Sequence, residues 1–256
     1  MRVSIIVTTY NRPDALALVL KGLAQQRDYD FEVMIADDGS TESTADILAA
    51  TQWPFTLKHV WQADDGFRAA KIRNRAVALA RGNYLIFLDG DCVPGPDFVR
   101  HHQRLAEHGW FVAGNRVLLS EQLTQKLVEN PDALFQMTLW DWCKARLQGG
   151  INRMLPLLPL PIVSRKSKSK EWRGVKTCNL AMWRKDFEQA QGFDERYVGW
   201  GYEDSDLVMR LLGAGVQRKQ GRSLVPVLHL WHPENTREHL DENWQRLLAT
   251  QQNQGT

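Results

Sequence analysis

Two aspartates separated by one glycine follow an apolar run in the segment YLIFLDGDCVPG, residues 84–95. The run predicts a buried strand, and carboxylates at its end are costly to bury unless a cation pairs with them. Hard divalent cations such as Mg²⁺ and Mn²⁺ take oxygen ligands, commonly one or two carboxylates completed by phosphates. The triplet therefore predicts a metal at Asp89 and Asp91, although such triplets are also common in turns.

A second acidic pair, Glu203-Asp204, begins a predicted helix in GWGYEDSDLVMRLL. Acidic residues at a helix N-terminus complement the helix dipole, which is one interpretation of the pair. The other is general base catalysis, which requires a carboxylate within hydrogen-bond reach of the reacting hydroxyl. One turn along, we expect Asp206 to face solvent or to pair with Arg210.

In the first half of the chain, predicted strands alternate with helical patterns. The strands are 3–9, 31–37, 56–62 and 83–89, and the helices follow Pro13 and cover 69–82. This alternation is typical of an α/β fold with a mostly parallel sheet. Polar residues follow three of the strands, at 8–12, 37–40 and 89–91. Because ligands bind outside the carboxyl ends of parallel strands, we expect a pocket at that rim.

The second half is less regular. We predict a strand pair or one long strand at 110–119, mainly helix at 121–147, a strand at 175–184, a helix at 202–215 and a hairpin at 216–233. The segment 151–172 places several prolines in an apolar run and then becomes basic and serine-rich. Proline at that density excludes a regular helix or a central strand.

The composition is that of a globular protein. The chain has 256 residues, 43% hydrophobic and 24% charged, and a net charge of +2 gives no general case for a nucleic-acid partner. The three cysteines have no zinc or disulfide spacing, no signal peptide is evident, and no stretch approaches the length of a spanning helix. We therefore expect a cytoplasmic protein. Its ten tryptophans are either core or platforms for stacking against sugar rings.

A larger set of segments carries a family resemblance: IIVTTYNRP, IADDGS, GFRAAKIRNRAVALARGNYLIFLDGDCVP, NLAMWRKDFEQAQGFDERYVGWGYEDSDLVMRLLGAG and HLWHP. In order and spacing, over residues 2–233, the set resembles the nucleotide-sugar-dependent glycosyltransferases of family 2, with the GT-A fold. The resemblance implies a Rossmann-like, mostly parallel central sheet flanked by helices, with a smaller acceptor-side subregion. Residues 1–120 would form the nucleotide-sugar-binding half, 121–233 the acceptor-binding and catalytic half, and 234–256 a C-terminal helical tail.

The resemblance also implies roles for individual residues. Those expected to bind the nucleotide and its diphosphate are Thr8, Tyr10, Arg12, Asp38, Arg73 and Asp89. Asp38 would accept from the base N3–H, which favours uracil, and the Arg73 guanidinium suits paired phosphate oxygens. Asp91 and Asp89 would hold Mn²⁺ or Mg²⁺, with His229 as the third ligand and His232 as its competitor. The residues implied around the sugars are Trp200, Tyr202 and Asn179.

The reaction implied is glycosyl transfer from a nucleotide-diphosphate sugar, most often UDP-linked, to a saccharide or glycolipid of a lipopolysaccharide, capsule or other surface glycan. Asp204 would deprotonate the acceptor hydroxyl, and Glu203 would contact the acceptor or support the loop. A direct base implies single displacement with inversion, while the metal stabilises the departing diphosphate. Some relatives with a similar second-half motif retain configuration, so the stereochemistry stays open.

The segment 151–172 then has three interpretations. It is a flexible lid over the donor, with Arg165, Lys166, Lys168 or Lys170 near the diphosphate; an anchor on anionic lipid at the inner membrane surface; or a solvated loop.

Two other classes of protein compete with the transferase. A sugar-phosphate nucleotidyltransferase normally has a glycine-rich loop near its N-terminus, yet no glycine lies between Ser4 and Lys21. A non-catalytic nucleotide-sugar or carbohydrate-binding protein would not need Glu203-Asp204 in addition to metal ligands.

Overall fold

A computed structural model describes residues 1–158, 165–167, 171–234 and 236–254. Its strands are β1 (Val3–Thr9), β2 (Phe31–Asp37), β3 (Thr56–Trp61), β4 (Tyr84–Asp89), β5 (Cys92–Pro94), β6 (Trp110–Ala113), β7 (Asn115–Leu118), β8 (Lys166–Ser167), β9 (Asn179–Trp183), β10 (Gln217–Gln220) and β11 (Pro226–His229). Its helices are α1 (Pro13–Ala24), α2 (Glu42–Ala49), α3 (Ala69–Leu79), α4 (Phe98–Leu105), α5 (Glu121–Glu129), α6 (Pro131–Gln136), α7 (Leu139–Leu147), α8 (Arg184–Gln189), α9 (Glu203–Gly213) and α10 (Leu240–Gln254).

The strands of the described residues form two sheets. The large sheet has the order β3-β2-β1-β4-β9-β6-β10-β8, and the small one has the order β5-β11-β7. Strands β3, β2, β1 and β4 run parallel, as the alternation of strands and helices predicted, whereas β9 is antiparallel to both β4 and β6. The predicted α/β fold with a mostly parallel sheet flanked by helices is confirmed.

The central strands β1, β2, β4 and β9 of the large sheet are buried on both faces, which explains their mostly apolar sequences. Along β1, Val3, Ile5 and Val7 pack into the core that holds α1, while Ile6 faces the core that holds α3 and α9. The strand ends therefore emerge from a layer that is fixed on both sides.

The hairpin predicted at 216–233 is wrong. Strand β10 joins the large sheet beside β6, and β11 joins the small sheet beside β7. The chain passes from the large sheet to the small one twice, at Gly114 between β6 and β7 and after Gly221 between β10 and β11. The two crossings are adjacent, because the Gly221 N–H donates to the Ala113 carbonyl at 2.8 Å. An added Cβ on Gly221 would lie 3.1 Å from the Gly114 Cα, so this crossing requires two small residues.

Helices α2 and α4 were not predicted from the sequence, and the helical region 121–147 divides into three helices. Asn130-Pro131 ends α5 and starts α6, and a Thr138–Asp141 capping box starts α7. The helix predicted in the C-terminal tail is present as α10. Among the described residues, no helix is both long and apolar enough to cross a membrane.

Candidate active site

A cleft of about 800 Å³ opens at the carboxyl ends of β1 and β4. Strand register brings the polar ends together, because Thr8 pairs with Asp89 and Thr9 pairs with Asp37. Most of the residues expected at the site line this cleft: Thr8, Tyr10, Arg12, Asp38, Arg73, Asp89, Asp91, Trp200, Glu203, Asp204, His229 and His232. The rim predicted from the strand ends is therefore a real concave site.

Arg73 on α3 joins the two halves of the cleft. Its Nη1 donates to Glu203 Oε1 at 3.1 Å, its Nη2 to Asp89 Oδ1 at 3.2 Å, and its Nε to Thr8 Oγ1 at 2.9 Å. The side chain is only 4% exposed, so these partners replace the water it would otherwise bind. Each of its nitrogens already donates to a protein oxygen.

The two aspartates of the DxD triplet have different surroundings. Burial and the nearby Asp91 charge raise the pKa of Asp89 to about 6, against the opposing effect of Arg73. Burial also acts to raise the pKa of Asp91, but the His232 hydrogen bond and the two histidines outweigh it, so that pKa is lowered. Asp91 is thus the carboxylate that stays ionised most readily.

Asp91, His229 and His232 form the group best suited to a metal. Asp91 Oδ2 lies 3.2 Å from His232 Nε2 and 3.7 Å from His229 Nε2, and one ligand atom from each residue lies within 4.8 Å of the others. The Asp91 carbonyl accepts from the Leu230 N–H at 2.9 Å, which fixes β11 against the triplet. His229, expected as the third ligand, and its competitor His232 both face Asp91, whereas Asp89 pairs with Arg73.

The tautomer of His232 is fixed by its backbone. Its Nδ1–H donates to the Pro233 carbonyl at 2.6 Å, leaving Nε2 to face Asp91. The hydrogen bond to Asp91 raises the pKa of His232, while burial lowers that of His229. An outer hydrogen bond of this kind orients an imidazole for metal binding.

The pair Glu203-Asp204 begins α9 and is buried at the cleft. The preceding loop has positive φ at Gly199, Gly201 and Tyr202, which directs the helix N-terminus inward. Burial and the neighbouring Asp204 charge raise the pKa of Glu203. Asp204 accepts from the Ser205 hydroxyl at 3.2 Å and lies 3.8 Å from Lys176 Nζ. Its carboxylate has few protein donors, so it is available to a hydroxyl in the cleft.

Asp206 pairs with Arg210, one of the two alternatives expected for it, through bonds of 2.6 and 2.8 Å. The alternative of a solvent-facing side chain is wrong, because Asp206 is only 1% exposed and also accepts from Thr250 at 2.7 Å. It anchors α9 to α10.

Asp38, which also lines the cleft, directly follows β2. Its Oδ1 accepts from Gln62 Nε2 at 2.6 Å and its Oδ2 from the Arg68 N–H at 2.7 Å, while burial raises its pKa. Tyr10 beside it donates to Asp64 at 2.9 Å. These bonds hold the turn that follows β2.

Two of the residues expected around the sugars do not line the cleft. Asn179 is 1% exposed, donates to the Val225 carbonyl at 2.5 Å and accepts from His102 at 3.2 Å. Tyr202 packs against Trp244, with ring centroids 5.2 Å apart. Both expectations need correction: these side chains support elements behind the cleft, because internal bonds and ring packing occupy them. Trp200 does line it.

The lid interpretation loses two of its residues. Arg165 donates to the Gln220 and Arg222 carbonyls, and Lys166 pairs with Glu107 at 2.6 Å, all at the β8 edge of the large sheet. Neither lines the cleft. Lys168 and Lys170 lie outside the described residues.

Sequence reasoning missed several basic residues that line the cleft: Arg116, Lys176 and Arg237. Arg116 lies on the short strand β7, and Arg237 lies beyond the HLWHP motif, with its guanidinium 5.8 Å from the Trp200 ring. The one signal for Arg116 was a cation directly before the apolar residues VLL.

Comparisons with known proteins identify related sequences. A family profile described as glycosyl transferase family 2 matches residues 4–146, and one described as the N-terminal domain of galactosyltransferase matches residues 161–232. Validoxylamine A glucosyltransferase of Streptomyces hygroscopicus subsp. jinggangensis is 31% identical over 228 residues, covering 83% of this chain and 52% of that relative. Chondroitin synthase of Escherichia coli is 29% identical over 236 residues, covering 83% of this chain and 32% of the relative. The chain spans about half or less of these relatives' lengths.

Solved structures share the fold. S. aureus TarS 1–349 in complex with UDP-GlcNAc superposes with a TM-score of 0.67 at 15% identity, covering 98% of this chain and 66% of that one. GalNAc-T7 with UDP, GalNAc and Mn²⁺ gives a TM-score of 0.66 at 13% identity, covering 97% and 48%. At these identities the likeness concerns the fold alone.

Proposed function

The chain belongs to glycosyltransferase family 2, and on that premise we propose that it transfers a sugar from a nucleotide-diphosphate donor to a hydroxyl of a saccharide or glycolipid. One observation carries the proposal: the candidate metal ligands around Asp91 and the candidate base Asp204 line the same cleft. A sugar between them would have its leaving group at one side and its attacking hydroxyl at the other.

A UDP-linked donor is the first candidate. Asp38 lines the cleft, its oxygens are held by Gln62 and the Arg68 N–H, and it would accept from the N3–H of a uracil base. TarS, which shares the fold, binds UDP-GlcNAc. Thr8, Tyr10 and Arg12 also line the cleft and would contact the nucleotide.

Asp91, His229 and His232 would hold the metal. A carboxylate with two imidazoles favours a transition-metal ion such as Mn²⁺ over Mg²⁺, which takes mostly oxygen ligands. GalNAc-T7, with the same fold, contains Mn²⁺. Such an ion supplies Lewis-acid stabilisation of a departing diphosphate.

The transfer is a single displacement that inverts the anomeric carbon. Asp204 accepts the proton of the acceptor hydroxyl, whose oxygen forms the new bond to that carbon. The bond from the anomeric carbon to the β-phosphate oxygen breaks, and its electron pair leaves with the nucleoside diphosphate. Arg73 positions Glu203 and Asp89 on either side of this path, and Trp200 offers an apolar ring to a sugar.

The test is a screen of UDP-, GDP- and dTDP-sugars with Mn²⁺ or Mg²⁺, reading released nucleoside diphosphate. Asp204→Asn should abolish turnover and keep nucleotide binding, and Asp46→Asn on the exposed face of α2 is the matched control. Turnover of a nucleoside triphosphate with a sugar phosphate would indicate nucleotidyl transfer instead. An absence of both release and metal-dependent nucleotide binding would overturn the proposal.

Contact with the inner surface of the membrane, from the cytoplasm, is a further part of the proposal. Helix α7 exposes Trp140 by 75% and Leu147 by 89%, with exposed Lys144 on the same face. Aromatic, aliphatic and basic side chains on one helix face suit an anionic lipid surface. Trp140→Ser with Leu147→Ser should reduce co-sedimentation with phosphatidylglycerol vesicles, whereas Leu79→Ser on α3 should not. If both variants co-sediment with the vesicles to the same extent, the proposed contact with the membrane is wrong.

A further inference from the structure

Arg116 is a cation of the cleft whose guanidinium has no hydrogen bond or ion pair with any described residue. The other arginines there are engaged: Arg12 pairs with Asp14 at 3.2 Å, Arg237 with Glu234 at 2.7 Å, and Arg73 with Asp89 and Glu203. Buried polar groups normally have a hydrogen-bond partner in the protein or in ordered water, and Arg116 is partly buried and lines the cleft. Arg116 therefore presents unused donors to the cleft.

The strand that carries Arg116 holds it beside the candidate metal ligands. In the β7–β11 pairing, Arg116 lies opposite Val227 and Leu118 lies opposite His229. Arg116 is therefore two residues along the neighbouring strand from the position opposite that histidine. Arg153 donates twice to the Arg116 carbonyl, at 2.7 and 3.2 Å, which secures the backbone. The cation is held on a strand of the small sheet.

The charges around Arg116 place it near the DxD triplet. Burial acts to lower its pKa, but nearby negative charges, including the carboxylates of Asp89 and Asp91, outweigh burial, so the pKa is raised. In turn, Arg116 acts to lower the pKa of Asp89. The guanidinium is thus charged and within electrostatic reach of both aspartates.

We propose that Arg116 binds the diphosphate of the sugar donor and stabilises it as it leaves. The proposal rests on the glycosyltransferase function proposed above. When the anomeric bond breaks, the diphosphate gains a further negative charge, which a fixed guanidinium stabilises more in the transition state than in the bound donor. The planar guanidinium group can also donate two parallel hydrogen bonds to a pair of phosphate oxygens.

The structure favours Arg116 over Arg73 for this role. The sequence motif suggested Arg73 as the diphosphate cation, but each of its nitrogens already donates within the protein. Moving Arg73 to a phosphate would leave the buried Glu203 and the partly buried Asp89 without their counter-charge. Arg116 can turn to a ligand without breaking any described contact of its side chain.

The test is isothermal titration calorimetry with MnCl₂ and three probes: UDP, UMP and inorganic pyrophosphate. Arg116→Gln should weaken UDP and pyrophosphate binding about 10- to 100-fold, the effect of losing hydrogen bonds to a charged group, and should change UMP binding by less than about twofold. Arg116→Lys should bind UDP and pyrophosphate with an affinity between those of the parent chain and Arg116→Gln. Arg100→Gln, an exposed arginine on α4, is the matched control and should bind like the parent chain. Near-identical circular dichroism melts check that each variant is folded.

The outcomes separate the two proposals. Unchanged UDP and pyrophosphate affinity in Arg116→Gln would overturn the role of Arg116 and leave donor binding intact. Failure of the parent chain to bind either probe with Mn²⁺ would overturn both the proposed function and this inference. Pyrophosphate contains no nucleobase, so its binding does not depend on which nucleotide the donor carries. The role of Arg116 is therefore tested even if the donor is not uridine-linked. With an active donor, kcat should fall more than KM rises.

Discussion

Arg73 Nη1 lies 3.1 Å from Glu203 Oε1, although 130 positions separate the two residues in sequence. The same guanidinium reaches Asp89 at 3.2 Å. The side of the cleft that carries the DxD triplet and the side that carries the candidate base are thus joined through one buried cation, so neither acidic pair is positioned independently.

Replacing Arg73 should destabilise the whole fold. Arg73→Met leaves Glu203, 11% exposed, and Asp89, 31% exposed, without their counter-charge. Because water still reaches Asp89, we expect the free energy of unfolding to fall by about 3 kcal/mol, the lower end of the range for a broken buried pair. Urea denaturation measures this, with Arg81→Met at an exposed site as control. Adding Glu203→Gln should recover part of the loss. A loss as small as that of the control would show that the ion pairs contribute little.

Removing either imidazole should weaken Mn²⁺ binding. His229→Ala and His232→Ala should each lower Mn²⁺ affinity by at least about 10-fold in the presence of UDP, since even the outer partners of metal ligands have effects of that size. Electron paramagnetic resonance of free Mn²⁺ gives the affinity. His108→Ala, an exposed histidine outside the cleft, is the control. If only one variant loses affinity, the other histidine is not a ligand.

His102 should make the protein less stable in mild acid. Complete burial lowers its pKa to about 3, from 6.5, because the charged ring would lose its hydration. Its contribution to stability is therefore fully present above pH 6.5 and is lost as the pH falls toward 3, by about 1.4 kcal/mol per pH unit.

The measurement is the free energy of unfolding from pH 7 to pH 4, for the parent chain and His102→Gln. Other groups titrate in both proteins, so the difference between the two slopes isolates this residue. The variant should show the shallower slope. Parallel slopes would mean that His102 is not buried in its neutral form.

Gly114→Ala should be strongly destabilising. An added Cβ would lie 2.1 Å from the Asn179 side chain, which is fixed by the Val225 carbonyl and by His102. Overpacking of this kind costs about 1–3 kcal/mol, seen as a lower urea midpoint. Gly95→Ala, where nothing lies within 4 Å, should change the midpoint little. Similar midpoints for the two variants would indicate that Asn179 can move.

Local patterns in the sequence were sufficient for the parallel part of the fold. Buried strands such as 3–9 and 83–89 are continuously apolar and end abruptly in polar residues, and parallel strands bring such ends to one rim. The same reasoning placed Thr8, Asp38, Asp89 and Asp91 at one cleft, as observed. The start of α9 at Glu203 also followed from local signals.

Contacts between distant segments were decided only by the tertiary structure. The prediction of a hairpin at 216–233 was wrong because periodicity indicates that a segment is a strand but not which strands it pairs with. Asn179 and Tyr202 follow family motifs, yet packing turned both side chains to internal partners. Motif order likewise could not show that both histidines face Asp91.

The sequence by itself determined which chemical groups stand at the ends of the strands, because burial of a strand and the turn that follows it are local properties. The tertiary structure alone decided how those groups pair: Arg73 is committed to Asp89 and Glu203, whereas the Arg116 guanidinium lines the cleft without a hydrogen bond or ion pair to any residue that the structure describes. Electrostatic pairing depends on distances between segments up to 130 residues apart, and the chain fixes those distances only when it folds.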